Sequence, residues 1–482
     1  MPLIVNTNIQ SLNAQRNLSK TLTPLQTAMQ RLSSGLRINS AKDDAAGLTI
    51  ATRMDSQMRG IEQAIRNAND AVSLVQTAEG AIDEMTNALQ RMRELSVQSA
   101  NGSNTAFDRQ ATDQEVQQLI QEIDRISTQT QFNSQTLLDG TLGTKAFQVG
   151  ANAGQTINVT MSQSLRSNAV GQIATATGTA VTGSAINADT TTIAIGTGSA
   201  VAINASVAGT ATGGQTTDSA WSKAAAINGS GVAGLTATTT NAQTDAAFAA
   251  TNTTGTYSLT INDAAIYTAQ DLTAGALTAT AIAAQINLYS SQTGVAAAAN
   301  SGTSVTLTAS DGRNVNITQT HTGSATGGFA DTFAKEDTLT TLRGTISLSA
   351  SDNITFGGSG PQNADLGLAA TIAKDANTIS GINVQTADAA NDAMKRIDSA
   401  LSVISSTRAT LGATLNRFSS TTSNLSNVLE NITAAHSRIM DADFAAESAN
   451  ITKSQILQQA GISVLAQANT STQSVLALLQ KM

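Results

Sequence analysis

The chain has 482 residues, about three domains by length, with 12% charged and 3% aromatic side chains, 36 Gly, 3 Pro and no Cys. Without Cys there is no disulfide framework and no thiolate ligand or nucleophile. A net charge of −8 argues against a nucleic-acid binder, whose affinity needs a basic face, and no apolar run reaches the roughly 18 residues a membrane-spanning helix needs.

The opening MPLIVNTNIQ has neither a basic n-region nor a small-residue cleavage site, so a cleaved secretory signal is not expected. The first predicted helix carries apolar residues at Leu18, Leu22, Leu25, Met29, Leu32 and Leu36, the alternating spacing of a coiled-coil seam. Pro24 sits inside it and lacks an amide hydrogen, so a kink or a new helix start is expected there. The pattern lapses at SSGLRINSAKDDAAG (Ser33 to Gly47). Gly35 can take the left-handed cap geometry, Ser40 with Asp43 reads as an N-cap, and Asp43 and Asp44 suit the positive end of the following helix. This stretch is a structured joint.

A rod follows on Met54, Met58, Ile61, Ile65, Ala68, Val72 and Val75. It slips by one short step to Ala78 and resumes with Ile82, Met85, Leu89 and Met92. Asn101 to Asn104 is a turn, and a third helix from about Phe107 to Gln129 shows Val116, Leu119, Ile123 and Ile126. Ala146 to Val149 and Thr156 to Thr160 alternate as short strands.

From Arg166 to Ser380 the chain turns Ala/Thr/Gly/Ser/Asn-rich and holds only 6 Lys+Arg and 12 Asp+Glu. It contains a weak internal repeat. Val201-Ala202-Ile203-Asn204 matches Leu259-Thr260-Ile261-Asn262, and Ile227-Asn228 matches Ile286-Asn287. Each copy reads as an alternating strand, an Ala-rich helix ending in Ile-Asn, and more strand, so two hairpin/helix modules are expected. The strongest periodicity comes next. Ala390, Met394, Ile397, Leu401, Ile404, Arg408, Leu411, Leu415, Phe418, Thr422, Leu425, Leu429, Ile432, His436 and Ile439 form one seam with 12 of 15 positions apolar. At 1.5 Å per residue that is a rod of roughly 75 Å. A last seam runs through Leu457, Gly461, Val464, Ala468, Ser471, Val475 and Leu478, widened by Ile462, Leu465, Leu476 and Leu479.

Catalytic patterns are absent from the sequence: no G-x-S-x-G, P-loop, G-x-G-x-x-G or H-E-x-x-H. His436 falls on the seam as a packing residue, His321 reads as solvated in a Thr-rich loop, and Asp441 and Asp443 point apart on a helix and read as caps or surface charge. No catalytic, cofactor or metal site is expected. The information lies in the stripes. Three inner seams can bury one another as a bundle. The outer two are short, and ordering them costs roughly 1–2 kcal/mol of backbone entropy per residue. They need partners from other copies of the chain, or they stay disordered.

At this point the residues resemble a known family. Ser33 to Gly47, LQRMRELSVQSANG (Leu89 to Gly102), QEIDRIS (Gln121 to Ser127) and FNSQTLLDG (Phe132 to Gly140) resemble the N-terminal region of bacterial flagellin, and RIMDADFAAESANITKSQILQQAGISVLAQAN (Arg438 to Asn469) resembles its C-terminal region. The resemblance covers about residues 1–165 and 385–482. It implies a structural subunit, not an enzyme, that adds head-to-tail to a helical filament turned for swimming; a heterologous contact that does not close yields such a filament. The fold class expected is mainly α at the two ends, as a discontinuous helical bundle, with short β-hairpins and an inserted β-rich α+β middle.

The domains expected are a terminal coiled coil of 1–44 with 445–482, forming the inner core and disordered in the monomer; a helical rod of 45–165 with 381–444; and an outer insert of 166–380 with modules at about 186–245 and 250–320. Polymerisation is expected to use Leu18, Leu22, Leu25, Met29, Leu32, Leu36, Leu457, Val464, Leu465, Val475 and Leu478. The resemblance further implies export through the filament channel without a cleaved signal, an extracellular location, and as partners the chain itself, an export chaperone, the filament cap and the hook-associated junction proteins. It also implies recognition by Toll-like receptor 5 through Gln90, Arg91, Leu95 and Gln98, with Glu115 as the companion acid; Met92 and Ser96 depart from residues common in that motif. Alternatives are a hook–filament junction protein and a surface adhesin or glycan-displaying filament protein.

Overall fold

The computed structural model describes residues 7–479 except 189, 211–212, 252–253, 274, 301–302, 331–332 and 360–361, with side chains described up to 471 apart from that of 251. Two compact units emerge, each assembled from separate stretches: Met1–Gln76, Thr144–Thr160 and Thr410–Met482 in the first, Thr77–Gly143 and Met161–Ala409 in the second.

The helices are α1 (Ile9–Ser34), α2 (Ala45–Ala100), α3 (Ala106–Gln129), α4 (Ala220–Gly229), α5 (Ala279–Leu288), the single turn α6 (Ser290–Thr293), α7 (Ala387–Met440) and α8 (Phe444–Leu479). In the first unit, Asn8 caps α1 by accepting from the Ser11 N–H at 3.0 Å. No new helix begins at Pro24, one of the two outcomes expected there, and α1 runs through it. Pro24 and Lys20 are both exposed, so the Lys20 carbonyl that loses its partner stays in reach of water, which lowers the cost of the missing bond.

Gly35 ends α1 at φ 70°, the left-handed cap. The N-cap expected at Ser40 is corrected: α2 begins at Ala45, and Asp44 caps it, its Oδ1 accepting from the Gly47 N–H at 2.8 Å. Ser40 instead donates its hydroxyl and backbone N–H to Asp43; these bonds, the hydroxyl first, hold the Asp43 carboxyl below its usual range. The joint is laced to the α7–α8 turn. The Arg37 N–H donates to Met440 O at 2.6 Å, the Ala442 N–H to Gly35 O at 2.9 Å, and the Arg37 guanidinium to Ile439 O at 2.7 and 3.1 Å. Asp443 then caps α8 by accepting from the N–H groups of Ala445 and Ala446.

Strands β1 (Gln131–Phe132) and β2 (Gln135–Thr136) form a minimal hairpin, and β3 (Gly143–Gln148) pairs with β4 (Thr156–Met161). Within the first unit this second hairpin is tied to helices: Asn67 Nδ2 donates to Gln148 O at 3.0 Å, and Phe147 meets Phe418 edge-on at 6.0 Å.

In the second unit the seams close as the periodicity predicts. Ile82, Met85, Leu89 and Met92 of α2, Val116 and Ile123 of α3, and Ile397 and Ile404 of α7 are fully buried. Arg408, the charged position of the α7 seam, pairs with Asp83 of α2 at 3.0 Å. A neck leads into the insert: the Ile379 N–H donates to Val170 O, the Asp375 N–H to Ile173 O, and the buried Arg396 of α7 holds Asp375 and Asp392.

Beyond the neck come β5 (Ala174–Ala180), β6 (Thr192–Ile195), β7 (Val201–Ala202), β8 (Leu235–Asp245), β9 (Ala249–Thr251), β10 (Gly255–Ile261), β11 (Ala264–Asp271), β12 (Ala296–Ala299), β13 (Val305–Ala309), β14 (Val315–Gly323), β15 (Thr326–Gly328), β16 (Thr340–Leu342), β17 (Thr345–Ala350), β18 (Ile354–Gly357) and β19 (Thr371–Ile372). The main sheets have orders β12-β13-β8-β17-β5, β11-β10-β14-β16 and β19-β18-β6-β7. Two apolar cores result. One draws on residues between Ala174 and Ala237 and again between Ile346 and Ile372; the other, between Phe248 and Ala334, is inserted into it. β8 joins them, pairing with β17 through its first half and with β13 through its second.

His321 corrects a second expectation. It is not in a solvated loop but on β14, its side chain 4% exposed, with Nδ1 2.8 Å from Glu336 and its ring against Tyr257. Strand alternation turns it inward, where the loop reading left it in water. Lys223 on α4 is likewise buried, donating to the carbonyls of Thr182 and Asp365; burial pushes its ammonium down to about 8.

Candidate assembly and recognition surfaces

Helices α1 and α8 lie antiparallel in the first unit. Moving along α1, Asn8 donates to Ala468 O at 3.1 Å, Leu18 sits beside Gly461, and Arg31 approaches Glu447 at 3.6 Å. That last pair places a cation in the final turn of α1 and an anion in the first turn of α8, each at the helix end that favours it. Small residues line the contact: Ser11, Ala14 and Ala28 on α1 and Ser454 and Ala468 on α8 are buried. Small side chains let two backbones approach closely and send the large ones elsewhere.

The large ones face out. Ile9, Leu12, Leu22 and Met29 of α1, and Phe444, Ile456, Leu457, Ile462 and Val464 of α8, are each between 39% and 69% exposed. Leu18, Leu25, Leu32, Leu36 and Leu465 are half-buried. Of the residues singled out for polymerisation, Leu22, Met29, Leu457 and Val464 therefore lie on the open rows, while of the five half-buried ones Leu18 packs beside Gly461 and Leu36 bridges to Asp441 at the joint. The side chains of Val475 and Leu478 lie outside the described residues. Sequence reading missed Ile9, Leu12 and Ile456; a second apolar row one position off the first seam was the available signal.

The second surface is on α2 and α3. Arg91 Nε donates to Glu115 Oε1 at 2.9 Å and Arg91 also pairs with Glu94 at 3.1 Å. The Glu115 bond first, then Glu94, raises the guanidinium above its usual value. Gln90 and Gln98 are exposed on the same helix. Leu95 is not part of this surface. It is 2% exposed, because helical periodicity places it with Met85, Leu89 and Met92 on the inner face. The exposed apolar residue here is Val97, which the motif comparison passed over. Among the described residues no group of three or more His, Asp or Glu is arranged to hold a metal, and no helix is long and apolar enough to cross a membrane.

The model of the bacterial flagellin N-terminal helical region matches residues 5–142, and that of the C-terminal helical region matches 394–479. Over the whole of both chains the sequence is 40% identical to B-type flagellin of Pseudomonas aeruginosa. The chain belongs to the bacterial flagellin family. This flagellin is also 36% identical to flagellin B of Vibrio anguillarum, over 99% of its own length and all of the relative's, and 36% identical to flagellin of Salmonella muenchen over the whole of both. It is a structural protein, the subunit that polymerises into the helical flagellar filament. The two family models fall on α1 to α3 and on most of α7 with α8; the nested cores of the insert lie outside both models, although the relatives align across them. Relatives that are flagellins over their full length favour the filament subunit over the junction-protein alternative.

Proposed function

We propose that the outward rows of α1 and α8 are the surfaces through which this flagellin joins its neighbours. The observation that carries it is the exposure of large apolar side chains on a helix pair whose own contact is made by small ones. Each half-exposed side chain has on the order of 1 kcal/mol still to gain on burial, so the rows together hold on the order of 10 kcal/mol. Association costs about 4–15 kcal/mol in lost freedom. One such contact is therefore marginal, and a helical polymer, where each subunit meets several others, is the state that satisfies it.

In this reading 1–44 and 445–482 form the inner layer, 45–165 and 381–444 the rod around it, and 166–380 the outer surface. The pairing of α1 with α8 gives the terminal helices a first partner within the chain, and neighbours supply the second. Export without a cleaved signal to an extracellular filament, with a chaperone, cap and hook-associated junction proteins as partners and no catalytic activity, follows from the family. Seeded polymerisation tests the surface. Ile462→Ser with Leu457→Ser is expected to leave a soluble monomer that sediments as such and forms no fibres in the electron microscope; normal fibres would reject the assignment.

We also propose receptor recognition by Toll-like receptor 5 through Gln90, Arg91, Gln98 and Glu115, with Val97 in place of the buried Leu95. The exposed Arg91–Glu115 pair supports it. Arg91→Ala with Val97→Ser is expected to lower signalling by monomer while leaving its melting temperature in place; unchanged signalling would remove these residues from the site.

A further inference from the structure

The Ile-Asn pairs of the internal repeat perform one act twice. Asn228, next to the end of α4, donates from Nδ2 to the carbonyl of Ala237 at 2.8 Å and accepts from the Ala237 N–H at 2.9 Å. Asn287, next to the end of α5, does the same to Ala297, at 2.8 Å in each direction. A side-chain amide used this way presents the donor and acceptor that a residue of a neighbouring strand would present. The isoleucine before each Asn is buried in the core, Ile227 in one module and Ile286 in the other, so the amide is held by a fixed helix end.

Ala297 lies on a sheet edge and Ala237 on a short stretch of an inner strand that only one strand covers, and both alanines are buried. β12 is the outermost strand of its sheet, and among the described residues no strand pairs with its free side. It consists of four alanines, a flat edge with no bulk or charge to repel another strand. Ala237 lies in the first half of β8, where β17 covers one side, while β13 on the other side reaches only Asn241 to Asp245.

The structure assigns Asn228 and Asn287 the role of edge plugs. They occupy the backbone groups through which a second copy of this chain would add its own edge strand. A filament repeats these edges many times on one body, and linking multiplies weak contacts through effective concentration. An edge harmless in a dilute monomer then becomes a route to side-by-side association, and the amides close it.

Filaments assembled from full-length Asn287→Ala and Asn228→Ala chains test this. Light scattering and electron microscopy read lateral association, and the monomer's melting temperature and circular dichroism are recorded beside them. A severalfold rise in scattering with bundled filaments from a folded monomer is expected. Adding Ala298→Lys, at an exposed position of β12, to Asn287→Ala is expected to disperse the bundles, because an edge lysine opposes pairing without restoring either hydrogen bond. Dispersed filaments from both single variants, or bundles that the lysine leaves intact, would overturn the proposal. Failure of both single variants to fold would also overturn it, by making the two residues braces of the fold.

Discussion

The seam of the second unit and the helix pair of the first are written in the same alphabet and end in opposite states. Along α2 and α7 in the second unit the large residues, Met85, Leu89, Met92, Ile397 and Ile404, are buried, and the exposed apolar side chains on its long helices, Val97 and Phe107, sit near the α2–α3 turn. Along α1 and α8 the described buried residues are Ser, Ala and Glu447, and no large apolar side chain is among them. Periodicity marks both as amphipathic. In the proposed reading, residue size on the contacting face separates a core completed within one chain from a surface left for another.

The largest effect that would break this comparison comes from emptying the finished core. Met92→Ala should cost about 2–5 kcal/mol in monomer unfolding, measured by denaturant titration, whereas Ile462→Ser should move monomer stability by no more than about 0.5 kcal/mol. Exchange of those two outcomes would invert the assignment. Next, Ala28→Leu forces bulk into the α1–α8 contact and should cost about 1–3 kcal/mol, read as loss of amide protection in α1 and α8 alone. Asp44→Ala removes the cap of α2 and should cost about 1 kcal/mol in thermal unfolding of the monomer.

The smallest effect concerns the neck. Burial works to raise the Asp375 carboxyl, but hydrogen bonds from Arg396 and the Ile173 N–H, with the Arg396 charge, outweigh it and hold the group below its ordinary 3.8. A carboxylate with a depressed folded pKa stabilises above its unfolded value and loses that contribution as pH falls through the folded one. Wild type should therefore lose stability below about pH 4 more steeply than Asp375→Asn, in a comparison of acid unfolding curves; equal slopes would leave the neck pair without energetic weight.

The sequence made the helices legible because their seams run for many turns without Pro: α2, α3 and α7 match the predicted spans, and Gly35 is the cap its freedom implied. It was less informative where two chemistries share one string. Ser40, Asp43 and Asp44 all suit an N-cap, and only the onset of α2 selects Asp44. VNITQTHTG is Thr-rich enough to read as loop, yet its alternation is a strand that carries His321 inside. On α1 and α8 both apolar rows were visible, but which one faces the partner helix depends on Ser11, Ala14, Ala28, Ser454 and Ala468, whose smallness has no weight in a hydrophobic pattern. The Ile-Asn repeat was visible as a repeat, while its partners, Ala237 and Ala297, lie in the following strands and share no motif.

The lacing of Gly35 and Arg37 to Ile439, Met440 and Ala442 sets a timetable. A ribosome delivers these two turns some 400 residues apart, so the clasp between them stays open until nearly the whole chain has been made. Helices can form early and the sheets of the insert can close on their own, but the α1–α8 end of the molecule is completed last.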